Sequence, residues 1–247
     1  MRYSGLLHGI GIVLASLVIA VSVRAASDLR ADPLTSVMPI SWSQASFRII
    51  VSPDESKLEK GEILFGMKKL NDGSIVAQSM GLIEATPEEC IRITTDYNHY
   101  TSIMPYTVES RIVRRFRLAG EYAGARAVDF WARVSVLGFQ TRYLIRVVNL
   151  ANDKSHVYRS FWTLVRNPAS VSGCKDSTGQ PCENDLDMNI GSGKFEPYKG
   201  DPNRTLSIRT MRIKGKNWVQ RFGLCAGCGN SMQEVTKAIR IAVMKRH

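Results

Sequence analysis

The segment from Thr86 to Val113 constrains the fold most, because a capped short helix there runs into Met-Pro and then into strand-like sequence. Thr86 is suited to cap the helix, Pro87 to occupy its first position, and Glu89 to return a hydrogen bond from the third position. Pro105 ends the helical stretch, since proline disfavours helix both in itself and in the residue before it. The segment therefore predicts a short helical pair, and almost everything that follows it has the character of strand.

Strand-like runs dominate the rest of the chain. Residues 62–69 and 74–83 are joined around Asn71-Asp72-Gly73, which favours a hairpin because Asp-Gly tolerates positive φ angles. After the helical pair, the predicted strands are residues 111–117, 127–136, 141–148, 156–165, 186–195 and 204–213. This order predicts a continuous antiparallel meander.

Alternation within these strands predicts their inward faces. In residues 127–136 one face carries Val128, Phe130, Ala132, Val134 and Val136. In residues 141–148 one face carries Tyr143, Ile145 and Val147, opposed to Arg142, Leu144 and Arg146. The run 156–165 is apolar on both sides, so its pattern does not assign an inner face.

A helix is predicted for residues 231–245, where apolar residues recur at helical spacing. They are Met232, Val235, Ile239 and Val243. One amphipathic helix over a continuous antiparallel sheet predicts a single α+β domain.

This order of elements resembles the START-like, or polyketide-cyclase-like, helix-grip superfamily (SRPBCC) over residues 58–247. The most specific part runs from Thr95-Asp96-Tyr97 through Tyr100 to Met104-Pro105 and Glu109-Ser110-Arg111. The resemblance implies a curved antiparallel sheet wrapped around a long C-terminal helix, with two short helices after the second strand. It also implies an apolar cavity for a lipid, sterol, isoprenoid, quinone or polyketide, and no cofactor.

The expected ligand contacts combine this resemblance with the inward strand faces. They are Tyr97, Tyr100, Met104, Phe130, Ala132, Val134, Tyr143, Ile145, Trp162, Met232 and Val235. Six aromatic residues are interpreted as a packing wall for a flat or long apolar ligand, namely Trp131, Trp162, Tyr143, Tyr158, Phe130 and Phe161. We therefore expect a hydrophobic-ligand binding or carrier protein.

No catalytic residue is assigned, because the sequence lacks the G-x-S-x-G and H-E-x-x-H signatures. Only His99 is placed where it could polarise a ligand carbonyl, together with Tyr97 and Tyr100. A cyclase or hydrolase using the same cavity is thus one alternative, and a structural envelope protein is another. Arg142 is expected to form an ion pair with Asp129 rather than to contact an anionic ligand group.

The five cysteines allow several interpretations. Two local disulfides, Cys174–Cys182 and Cys225–Cys228, are favoured because each pair is close along the chain, which leaves Cys90 as a buried thiol. Two alternatives remain open: a redox-active Cys225 at the start of the last helix, and a four-cysteine zinc site. The seven-residue gap between Cys174 and Cys182 exceeds the usual zinc-ligand spacing of roughly two to four.

Residues 1–25 are interpreted as a secretory signal peptide cleaved near Ala25, because an apolar run after Arg2 ends in Val23-Arg24-Ala25. An uncleaved membrane anchor is the alternative. The protein is therefore expected to be periplasmic or secreted, with residues 26–57 as a linker or irregular segment and residues 58–247 as the ligand-binding domain.

Net charge narrows the choice of partners. Removing residues 1–25 leaves 31 basic and 22 acidic side chains, a net charge of +9. Such a surface is compatible with transient contact with an anionic membrane. Nucleic acid is not an expected partner, because the protein is predicted to be exported and its basic residues are scattered.

Overall fold

Eight antiparallel strands form one sheet in the order β1-β2-β8-β7-β6-β5-β4-β3. The computed structural model describes residues 51, 53–119, 125–152 and 154–246, and gives only the backbone for residues 152 and 218–230. These residues belong to a unit of residues 42–247. The strands are β1 (Leu64–Lys69), β2 (Ile75–Ile83), β3 (Thr107–Arg117), β4 (Arg126–Val136), β5 (Phe139–Asn152), β6 (Val157–Leu164), β7 (Leu186–Tyr198) and β8 (Asp201–Gly215).

Four α-helices accompany the sheet in the part of the chain that the structure describes. They are α1 (Glu55–Glu59), α2 (Pro87–Thr94), α3 (Tyr100–Ile103) and α4 (Trp218–Met244), and short 3₁₀ turns occupy Tyr97–His99 and Pro168–Ser170. The predicted fold class is confirmed: one antiparallel sheet, short helices after β2, and a long helix at the end of the chain.

The start of α2 has the predicted capping box. The Glu89 amide donates to Thr86 Oγ1 at 3.2 Å, and the Thr86 amide donates to Glu89 Oε2 at 3.0 Å. Pro87 occupies the first turn, where its missing N–H costs no hydrogen bond. Cys90 and Ile93 on this helix then reach the core, which fixes α2 over the end of the sheet.

Helix α4 packs on the inner face of the sheet. Its residues Ile239 and Val243 join the core cluster of Ile83 and Phe195, while Met232 joins a second cluster further along the helix. Gly81 on β2 permits this approach, because a Cβ there would lie 3.0 Å from Thr236 Cγ2. The sheet and α4 therefore enclose the interior between them.

The opposite face of the sheet is covered by the loop between β6 and β7. Trp131 and Leu144 are completely buried there beside Val171 and a disulfide between Cys174 and Cys182. The Trp131 indole donates to Glu109 Oε1 at 3.2 Å. The strands β4 and β5 are thus buried on both faces.

Several predicted boundaries differ from the structure, among them the start of the last helix and the end of the N-terminal linker. Helix α4 begins at Trp218 rather than near Ser231, although glycine-rich sequence has low helix propensity. Cys225 and Cys228 therefore lie within α4 and not at its start, while their predicted disulfide lies outside the described side chains. Helix α1 also falls across the predicted end of the linker at residue 57.

The predicted signal peptide, residues 1–25, lies outside the described residues. Within the described part of the chain, no helix has both the length and the apolar character needed to cross a membrane.

A candidate ligand cavity

A cavity of about 220 Å³ lies between the sheet and α4. Ten of the predicted contact residues line it: Tyr97, Tyr100, Met104, Phe130, Val134, Tyr143, Ile145, Trp162, Met232 and Val235. Ala132 is not on the cavity surface, because it packs in the cluster of Phe130 and Ile145. Most of the lining is therefore aromatic or aliphatic.

An aromatic cluster forms one end of the cavity where the short helices meet β4. The ring centroids of Tyr97 and Tyr100 each lie 5.1 Å from that of Phe130. Asn149 Nδ2 donates to Tyr97 Oη at 3.1 Å, and the Tyr100 hydroxyl donates to the Thr94 carbonyl. Burial raises the pKa of Tyr97 to about 12, so this phenol is neutral at physiological pH.

The inner face of β7 makes room for the Trp162 indole. A Cβ at Gly191 would lie 1.9 Å from Trp162 Cζ2, so the indole occupies the space that a side chain would need. Trp162 Nε1 donates to Asn189 Oδ1 at 3.0 Å, which holds the ring against the strand. Gly193, two residues further on, lines the cavity, and a Cβ there would make only an ordinary contact with Arg209 Nη1 at 3.9 Å.

Arg209 on β8 also lines the cavity. Its guanidinium carbon lies 5.7 Å from the centroid of the Trp162 ring. Sequence reasoning missed this residue, since an arginine in a strand normally indicates a solvent-facing position. The sequence did contain one indication of its inward position: Arg209 shares a strand face with Met211 and Ile213, which line the same cavity.

The exposed part of the lining indicates where the cavity opens. Tyr106, a lining residue immediately after Pro105, is 36% exposed. Leu137, which does not itself line the cavity, is 70% exposed in the facing β4–β5 turn. Pro105, Val136 and Phe139 line the cavity beside them. The mouth therefore lies between the end of α3 and this hairpin.

His99 does not belong to the cavity. Its ring Nδ1 lies 2.7 Å from Asp96 Oδ1, and its side chain is 70% exposed. Among the described residues, the lining contains no Asp, Glu, His or Lys. The described cavity thus lacks the imidazole on which the enzymatic alternative depended.

Two members of the predicted aromatic wall face away from the cavity. Trp131 is buried under the disulfide loop, and Phe161 alternates with the inward-facing Trp162. Tyr158 faces inward but packs with Phe195 in the core cluster. Alternation alone could not choose the inner face of β6, because apolar residues lie on both of its faces.

The predicted ion pair between Arg142 and Asp129 is wrong. Arg142 Nη2 instead lies 3.1 Å from Asp185 Oδ1, because the loop before β7 crosses the start of β5. Asp129 is completely buried on the outer face of the sheet and contacts Arg146 at 2.8 Å and Arg114 at 2.7 Å. Both carboxylates therefore support the fold away from the cavity.

The Cys174–Cys182 disulfide is present, and Cys90 is a buried free thiol whose pKa burial raises to about 12. Because two thiols are joined in this disulfide, the proposed four-cysteine zinc site is not formed. The described residues contain no group of three or more metal-ligating side chains placed to hold an ion.

Comparison with known proteins places this geometry in a fold family. No protein-family model matches the sequence, and no curated protein matches it. Among solved structures, human StAR-related lipid transfer protein 5 matches with a TM-score of 0.57 and 11% identity, covering 94% of this chain and 99% of that one. The fold is START-like.

Two further START-like structures agree. A STAR-related lipid transfer protein from Xanthomonas axonopodis matches with a TM-score of 0.54 and 10% identity, covering 78% of this chain and 97% of that one. Human STARD10 matches with a TM-score of 0.53 and 10% identity, covering 82% and 83% respectively. Identities this low establish the fold, and function has to be argued from the site.

Proposed function

We propose that this START-like protein binds a small hydrophobic molecule, a lipid or isoprenoid, in the cavity under α4 and carries or sequesters it. The observation that carries this proposal is the apolar, aromatic-lined space between the sheet and the final helix. Lipid-transfer proteins with the same fold support it.

Burial of apolar surface would supply most of the affinity, at roughly 25 cal/mol per Å² removed from water. A few polar groups then orient the ligand. The cavity of about 220 Å³ lies below the roughly 300–1,000 Å³ typical of small-molecule pockets. This size favours a compact or single-chain molecule over a two-chain lipid.

We further propose that binding takes place outside the cytoplasm. The apolar segment before Ala25 has the features of a signal peptide. The Cys174–Cys182 disulfide supports the same compartment, since disulfides persist mainly in oxidising environments. N-terminal sequencing of protein expressed from its own leader tests this: a mature chain starting near Ala26 is expected, and an intact leader contradicts cleavage.

The binding proposal is tested by extracting the purified mature protein with organic solvent and identifying the extract by mass spectrometry. The expected result is a hydrophobic molecule in near-stoichiometric amount. Titration with a fluorescent fatty-acid analogue then measures binding to the stripped protein. The proposal would be contradicted if no hydrophobic molecule co-purified and the probe showed no saturable binding.

A matched pair of variants places the ligand in this cavity. Gly193→Leu adds a large side chain at a position that lines the cavity. We expect about tenfold or greater loss of probe affinity, because the ligand and the leucine compete for volume. Gly193→Ala adds only a methyl group and should bind nearly as well as the wild type. Unchanged binding by a folded Gly193→Leu protein would place the ligand elsewhere.

A further inference from the structure

Arg209 is the one charged residue among the described residues that line the cavity. It lies on the inner face of β8 opposite Gly193, and a Cβ at Gly193 would be 3.9 Å from Arg209 Nη1. Its guanidinium therefore lies beside the part of the cavity wall that Gly193 forms. Burial accordingly lowers the pKa of Arg209.

No described residue neutralises this charge. Among the residues of which the structure describes side chains, none forms an ion pair with Arg209 or accepts a hydrogen bond from it. The helix residues 218–230, whose side chains are not described, include no Asp or Glu. The Trp162 ring at 5.7 Å offers partial compensation through a cation–π contact.

The tyrosines near Arg209 do not supply a negative charge. Burial raises the pKa of Tyr97 and Tyr143 to about 12 even though the positive charge of Arg209 acts in the opposite direction. Both phenols therefore stay protonated at neutral pH. They surround the guanidinium with neutral groups that can donate or accept hydrogen bonds but cannot balance its charge.

An unpaired cation in an apolar cavity opposes folding, because a buried charge is costly unless it is paired. A buried polar group without a partner requires an explanation. A ligand that pairs with the guanidinium would provide one. A group that carries negative charge and enters from the cavity would balance the positive charge, because Arg209 lines the cavity. The hydroxyl of Tyr143, which has no hydrogen-bond partner among the described residues, lines the same space.

We propose that the bound ligand is an anionic amphiphile whose oxyanion head pairs with Arg209 while its apolar tail fills the remainder of the cavity. This inference rests on the proposed function and specifies its ligand class. A guanidinium presents planar paired donors that match a carboxylate or a phosphate. Tyr143 is positioned to donate to the same head group, and Phe130 and Met232 receive the tail.

Isothermal titration calorimetry with four probes that each carry an unbranched chain of ten carbons tests the proposal. The probes are decanoate, decyl phosphate, decan-1-ol and decyltrimethylammonium, used below the concentrations at which they aggregate. The stripped wild-type protein should bind at least one of the two anions about tenfold or more tightly than the alcohol, and the cation most weakly. Comparing the two anions tells a carboxylate ligand from a phosphate ligand.

Arg209→Met is the decisive variant, and Arg159→Met on the exposed side of β6 is its control with the same change in net charge. We expect Arg209→Met to lose about tenfold or more affinity for the preferred anion and to keep its affinity for decan-1-ol. Arg159→Met should resemble the wild type. The preference should also persist at high salt, which screens the basic exterior much more than a buried site.

The outcomes separate the two proposals. Equal wild-type affinity for anion and alcohol, or equal losses of both in Arg209→Met, would overturn the anionic-ligand inference and leave the hydrophobic-ligand function standing. Absence of binding by all four probes would overturn both. If Arg209→Met fails to fold, the wild-type preference among the probes still decides the question.

Discussion

Replacing Gly191 by alanine tests whether the Trp162 indole packs directly against β7. The new Cβ would lie 1.9 Å from Trp162 Cζ2 and 2.1 Å from Cε2, so the rigid indole must move away from β7. That movement strains the surrounding packing, which costs about 1–3 kcal/mol. It also breaks the bond from Trp162 Nε1 to Asn189, a loss of about 1 kcal/mol.

Gly193→Ala is the matched control, because both glycines lie on the same face of the same strand and neither has a positive φ. Its nearest neighbour to a new Cβ is Arg209 Nη1 at 3.9 Å, an ordinary contact. Both substitutions reduce the entropy of the unfolded chain, which stabilises the native state by about 0.4–1 kcal/mol. Gly193→Ala should therefore be neutral or stabilising, and Gly191→Ala should destabilise by about 1–3 kcal/mol.

Urea unfolding followed by far-ultraviolet circular dichroism measures the difference. The slope of the free energy against urea should be the same for both variants, so that the midpoints report stability. Near-ultraviolet circular dichroism should change in Gly191→Ala, because the indole environment changes. Equal stability of the two variants, with unchanged near-ultraviolet spectra, would show that Trp162 does not lie against Gly191.

Two further predictions concern the outer face of the sheet. Replacing both Cys174 and Cys182 by alanine should lower the free energy of unfolding by about 2–3 kcal/mol, because the disulfide closes a short loop in the unfolded chain; a urea midpoint equal to that of the oxidised wild type would contradict this. Asp129→Asn should cost about 3–5 kcal/mol, because it removes the carboxylate that faces two guanidinium groups. The control Arg114→Met, at a site 48% exposed, should cost about 1 kcal/mol or less, and equal losses in the two variants would refute the assignment.

The strands were predictable because their alternation reflects burial directly. The face of β4 that carries Phe130 and Val134 was assigned from sequence, and the structure places both residues on the cavity. Strand ends were less predictable. β5 continues to Asn152, beyond its predicted end at Val148, because its pairing with β6 extends to the pair of Asn152 and Val157.

Polar residues on inward faces were not predictable from pattern. Asn149 accepts a hydrogen bond from Ser160 at 2.7 Å and donates to Tyr97, so a buried network uses a residue type that normally indicates exposure. Arg209 is likewise a polar residue on an inward strand face, and the sequence pattern did not identify it as one. The partner of Arg142 depended on a loop that is close in space but 43 residues away in sequence, and no local rule selects Asp185 over Asp129.

The two faces of β4 and β5 differ in their packing: the outer face belongs to a packed core cluster, and the inner face lines the cavity. On the inner face, side chains such as Phe130 and Tyr143 border a void and lack contact atoms on one side, which weakens their dispersion energy. On the outer face, Trp131 and Leu144 are completely buried under the loop closed by Cys174–Cys182. A tightly packed outer layer can hold the cavity wall in shape when the cavity is empty. Within β4 and β5, substitutions on the outer face should therefore lower stability more, and substitutions of residues that line the cavity should lower ligand affinity more.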